Sequence, residues 1–135
     1  MYDEITGRIG SRTTYASTLA AEGNRLFGNT FAGTFARDTL PPVSKQTRAY
    51  VVNTDKSTGS GVHWVAVLDV GGKRYLNDSL GYYGKRQRAE LTRLQPHEFA
   101  DDDAEQKPSE KDCAARSLVA LAIGLRCGKQ CFLDL

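Results

Sequence analysis

The chain is poor in cysteine and tryptophan and has no long apolar run: it contains three cysteines and one tryptophan. No apolar segment approaches the roughly 20 residues that a membrane span needs, so no membrane segment is predicted. No two cysteines are separated by two residues, which argues against a structural zinc site of the usual spacing. An odd number of cysteines cannot all pair, and we therefore expect reduced thiols.

The excess of positive over negative charge is also small, because the net charge is only +2. This balance is too mild to indicate nucleic-acid binding. The N-terminal segment MYDEITGRIGSRTT lacks the layout of a signal peptide, so we expect an intracellular, reducing location or packaging in a particle such as a virion. The length of 135 residues predicts one domain, residues 1–135, with one modest core.

The middle of the sequence predicts a β-hairpin. Residues 62–70 (VHWVAVLDV) are almost continuously apolar, which is typical of a strand covered on both faces. Gly71-Gly72 predicts a tight turn, after which residues 73–79 return antiparallel. A shorter strand is expected at residues 49–52.

An apolar helix is predicted from Cys113 to Leu125, with Asp112 as its N-cap. Because it is apolar on most faces, it must be buried against the sheet. The predicted fold is α+β, with a small central mixed or antiparallel sheet packed on this C-terminal helix. The remaining predictions are a helix over 13–27 ending at Gly28, a loop over 33–42, a helix over 85–94, and an irregular segment over 97–112 with a short strand near Glu105-Gln106.

Cys113 is the first candidate for chemistry. At the start of a helix, unpaired amides and the helix dipole favour a thiolate, although a free cysteine can also be a small core residue. His63 lies within the apolar strand, where an imidazole is costly unless it has partners or a task. Pairing around Gly71-Gly72 puts residue 80 opposite His63, so Asp78 falls within about two residues of it. The alternative for Asp78 is a turn residue that ends the strand.

The order of His63-Trp64, Asp78, Gln106 and Cys113 resembles the superfamily of adenain-like and ubiquitin-like-protein-specific cysteine proteases. Gln106 precedes Cys113 by seven residues. The segments Val52-Asn53-Thr54 and Gly61-Val62-His63-Trp64 are most similar to the adenovirus endopeptidase branch. The resemblance covers roughly residues 47–123 and implies a minimal papain-like core.

The resemblance implies a cysteine endopeptidase that cleaves after small residues in Gly-rich sites, of the kind that matures virions. It makes Cys113 the nucleophile, His63 the base, Asp78 the group that orients it, and Gln106 an oxyanion donor. Trp64 and Asp112 would contact the substrate. No cofactor or metal is implied. Four basic residues could bind an activating peptide or polyanion, or could simply form a solvated helix face: Lys85, Arg86, Arg88 and Arg93.

Ala114 departs from the resemblance, because the family has glycine after its nucleophile. This departure motivates an alternative, a non-catalytic protease-like module. Removal of a ubiquitin-like modifier is a second alternative, but only 22 residues follow Cys113 (135 minus 113), which favours extended peptides as substrates. A metal site of His63, His97 and Cys113 is a third. Cys127 and Cys131 are expected to be buried in the C-terminal packing, or to share a helix face or a small metal site.

Overall fold

The computed structural model describes residues 16–53, 63–77, 96, 98–99 and 113–134. Within these ranges the chain is α+β, as predicted. The helices are α1 (Ala16–Phe27), α2 (Cys113–Cys127) and α3 (Lys129–Leu133), and the strands are β1 (Phe31–Ala36), β2 (Arg48–Asn53), β3 (Trp64–Val70), β4 (Lys73–Asn77) and β5 (Glu98–Phe99). No helix in this described part is long and apolar enough to cross a membrane.

The five strands form one mixed sheet in the order β1-β2-β3-β4-β5. The three central strands are antiparallel, and each outer strand is parallel to its neighbour. The predicted hairpin is confirmed. Gly71 and Gly72 have positive φ values of 58° and 80°, which the two central residues of a type I′ turn require. Its register is also the predicted one, with Ala66 opposite Asn77.

Two strands were not predicted. Residues 33–36 belong to β1 rather than to a loop, and they pair with β2 after a register shift between Phe31 and Gly33. The pairing partner comes from a distant strand, so the local abundance of turn residues does not decide the structure. The second is β5, which has two residues and pairs with Tyr75 and Leu76. The helix predicted over 85–94 and the strand predicted near Glu105-Gln106 lie outside the described residues.

Helix α2 packs on one face of the sheet, chiefly against β3. Alternate residues of β3, including Trp64 and Leu68, join the core beneath α2, whereas Val65 and Val67 face a second apolar cluster on the opposite side. Both faces are covered, which accounts for the continuous apolar run of this strand. Small residues allow α2 to approach closely: a Cβ on Gly124 would lie 3.0 Å from Leu68 Cδ2.

The opposite face of the sheet holds a buried ionic network centred on Asp69. Its carboxylate, fully buried, accepts hydrogen bonds from Arg74 Nε (2.8 Å) and Nη2 (2.9 Å), from the Tyr50 hydroxyl (2.9 Å) and from the Ser44 backbone N–H (2.9 Å). Arg74 also donates to the Pro41 carbonyl (2.9 Å). The network therefore fixes the connection between β1 and β2 on the sheet. Burial, and then the bond to Asp69, raise the pKa of Tyr50 above its ordinary value of 10.0.

Candidate active site

Cys113 is the first residue of α2, as the sequence predicts. Its thiol is free and partly exposed. The next residue, Ala114, is buried and lies within the helix. Helical backbone has negative φ, which any L-residue adopts. Ala114, at the position where the proteases that this sequence resembles have glycine, therefore requires no unusual backbone conformation.

The sulfur of Cys113 contacts the backbone at the start of β3. Trp64 N–H donates a hydrogen bond to Cys113 Sγ over 3.4 Å. This nitrogen belongs to the peptide bond that joins His63 to Trp64. Standard bond lengths then place the His63 Cα within about 6 Å of the sulfur, a separation that an imidazole side chain can span. The structure thus brings the predicted nucleophile to the backbone of the predicted base.

His63 and Trp64 are both buried, with 5% and 8% of their surfaces exposed. Trp64 packs in the core beneath α2, where Cys113 also packs. β3 begins at Trp64, so His63 lies one residue before the alternating part of the strand. Strand alternation therefore does not set the direction of the imidazole. An imidazole at this depth must be compensated by hydrogen bonds.

A second contact joins α2 to the same strand residue. The Ser117 hydroxyl donates a hydrogen bond to the Trp64 carbonyl over 3.2 Å, and Ser117 is only 2% exposed. Cys113 and Ser117 are four residues apart, so they lie on one face of the helix. The sequence analysis missed Ser117. The helical spacing from Cys113 is the signal that could have identified it.

Asn77, at the end of β4, is another residue that the sequence analysis missed. Its side-chain amide is buried and donates to the Phe132 carbonyl of α3 over 2.8 Å. Lys129 of α3 also donates to the Tyr75 hydroxyl over 2.9 Å. These bonds attach α3 to β4, directly beside Asp78 in the sequence.

The other predicted site residues lie outside the described residues. They are Asp78, Gln106, Asp112, His97 and the basic residues Lys85, Arg86, Arg88 and Arg93. Among the side chains that are described, no group of three or more His, Cys, Asp or Glu could hold a metal ion.

The predictions for Cys127 and Cys131 were wrong in two respects. The two residues form a disulfide, although reduced thiols were expected. Cys127 is exposed and Cys131 is only partly buried, although burial was expected. The reason is that α2 ends at Cys127 and the chain turns at Gly128 into α3, which brings residue 131 back to the end of α2.

A scan against protein-family models finds no match to the chain, and a search of curated proteins finds none either.

Proposed function

We propose that this protein is a cysteine endopeptidase in which Cys113 is the nucleophile and His63 the general base. The observation that carries the proposal is the 3.4 Å contact between Cys113 Sγ and the amide of the His63–Trp64 peptide. A thiol at the start of a buried helix, close to the backbone of a histidine, is the arrangement that thiol proteases require. The same arrangement supports a papain-like core of the adenain type.

In the first half of the reaction, His63 takes the thiol proton and Cys113 attacks the carbonyl carbon of the substrate peptide. The carbonyl oxygen becomes an oxyanion, which the Gln106 amide and the Cys113 N–H stabilise. The C–N bond then breaks, and His63 returns the proton to the leaving amine. The product is a thioester between Cys113 and the acyl half of the substrate.

Water completes the reaction. His63 removes a proton from water, the hydroxide attacks the thioester carbonyl, and the released thiolate regains its proton. By the family resemblance, Asp78 would accept a hydrogen bond from the second ring nitrogen of His63 and keep the imidazole aligned through both halves. The substrates are extended segments with small residues before the cleaved bond, as in viral maturation. This specificity rests on the family resemblance, which would put Asp112 and the small exposed part of Trp64 at the substrate.

The test is a peptide-library digestion followed by mass spectrometry of the new termini. We expect the wild-type chain to cleave after small residues, chiefly glycine, and Cys113→Ala to produce no cleavage above background. A Cys127→Ala/Cys131→Ala double variant is the matched control, since it removes the other two cysteines and should retain activity. Cleavage of the same bonds by Cys113→Ala would disprove the assignment. Absence of cleavage by the wild-type chain would instead support a non-catalytic module.

A further inference from the structure

Helix α2 holds both polar backbone groups of Trp64. Cys113 Sγ accepts from its N–H over 3.4 Å, and Ser117 Oγ donates to its C=O over 3.2 Å. The N–H and C=O of one strand residue point to the same side, so two helix residues one turn apart can contact both groups. The two contacts hold the peptide units on either side of the Trp64 Cα.

We propose that the Trp64 N–H stabilises the Cys113 thiolate and that Ser117 is a positioning residue that keeps this amide in place. A bond to an ionised acceptor is about twice as strong as one between neutral groups, so the amide interacts more strongly with the thiolate than with the thiol. The inference rests on the proposed function, because it concerns the reactivity of the proposed nucleophile.

Ser117 acts through the backbone rather than on the substrate. Its bond to the Trp64 carbonyl is buried, because Ser117 is 2% exposed and Trp64 8% exposed. Without the hydroxyl, the strand residue can shift relative to the start of α2, which changes the separation between Cys113 and the preceding His63. A displacement of about 1 Å in a reactive pair can lower a rate by about 100-fold.

The test compares two variants that each remove one buried hydroxyl donor. Ser117→Ala removes the bond to Trp64, whereas Tyr50→Phe removes the bond to Asp69 on the opposite face of the sheet. The measurement is the rate at which iodoacetamide modifies Cys113 at pH 7, mapped by mass spectrometry. We expect Ser117→Ala to be about 10-fold slower or more, Tyr50→Phe to match the wild type, and Ser117→Thr, which retains a hydroxyl, to recover most of the rate.

Alkylation requires no peptide cleavage, so its result is separate from that of the library digestion. A wild-type rate in folded Ser117→Ala, or an equal loss in Tyr50→Phe, would overturn the positioning role. If Ser117→Ala does not fold, hydrogen exchange tests whether Cys113 holds the Trp64 amide. In Cys113→Ala, the Trp64 amide should exchange at least about 10-fold faster than in the wild type, with Val67 unchanged as an internal reference. Equal protection of the Trp64 amide would overturn the proposal.

Discussion

Replacing Asp69 by alanine would remove the acceptor at the centre of the buried network. Asp69 is fully buried and accepts from two nitrogens of Arg74, which is itself only 3% exposed. The substitution leaves the Arg74 guanidinium buried without a counter-charge. It also removes the acceptors of the Tyr50 hydroxyl and the Ser44 amide. We therefore expect a large loss of stability from a residue far from the candidate active site.

The magnitude follows from the number and kind of the lost bonds. Breaking a buried ion pair by removing one partner costs about 3–5 kcal/mol. Tyr50→Phe removes a single hydrogen bond from the same carboxylate and should cost about 0.5–1.5 kcal/mol. Removing both charges in Asp69→Ala/Arg74→Ala avoids the uncompensated cation. The double variant should therefore be more stable than the sum of the single effects predicts, by up to about 3 kcal/mol.

Urea unfolding measures these differences. Trp64 is the only tryptophan and is 8% exposed, so its fluorescence reports loss of the core beneath α2. Linear extrapolation of each transition gives the free energy of unfolding. If Asp69→Ala cost no more than Tyr50→Phe, or if the effects of the two charge removals were additive, the network would not contribute as we describe.

Two further perturbations test the packing of the sheet. The pKa of Tyr50 is higher in the folded chain than in the unfolded chain, so the hydroxyl ionises at a lower pH when the chain is unfolded. Its contribution to stability is therefore complete below about pH 10. That contribution is lost as the pH rises towards the folded-state pKa. Alkaline unfolding curves of Tyr50→Phe should lack this decline, which is at most about 1.4 kcal/mol per pH unit; an unchanged slope would contradict it. Gly23→Ala places a Cβ in steric conflict with the Phe31 ring and should cost about 1–3 kcal/mol in urea unfolding. Asn24→Ala, at the neighbouring exposed position, should cost nothing. Equal stability of the two alanine variants would show that the ring of Phe31 moves freely.

The central hairpin and α2 could be predicted because their signals are local. Gly71-Gly72 fixes the turn and hence the register that pairs Ala66 with Asn77. The apolar run after Cys113 is long enough to identify a buried helix, which ends two residues beyond the predicted Leu125. In both the hairpin and the helix, residues close together in the sequence determine the local structure.

The two missed strands depend on partners outside their own sequence. β1 contains Gly33, which lies at a register shift, and its pairing with β2 is not visible in its own composition. β5 has two residues, too few for any periodicity. The disulfide depends on the turn at Gly128 that separates α2 from α3, and a spacing of four residues alone does not reveal it.

The candidate site was predictable in its residue types and not in its contacts. The order of His63, Trp64 and Cys113 suggested the proposed chemistry through resemblance, and that chemistry stays a proposal. The contact between the sulfur and the Trp64 amide arises from the packing of α2 on β3, which no sequence pattern displays. Ser117 was overlooked because a single serine within a predicted helix carries no signal of a functional role.

The pairing of Cys113 with His63 is tested most directly by the rate of Cys113 alkylation in His63→Ala. Iodoacetamide at pH 7, with the modified peptide identified by mass spectrometry, measures how readily this thiol forms a thiolate. We expect the folded wild-type chain to react at least about 10-fold faster than the urea-unfolded chain, and folded His63→Ala to lose that advantage. Equal rates in the folded wild type and folded His63→Ala would contradict a catalytic pair.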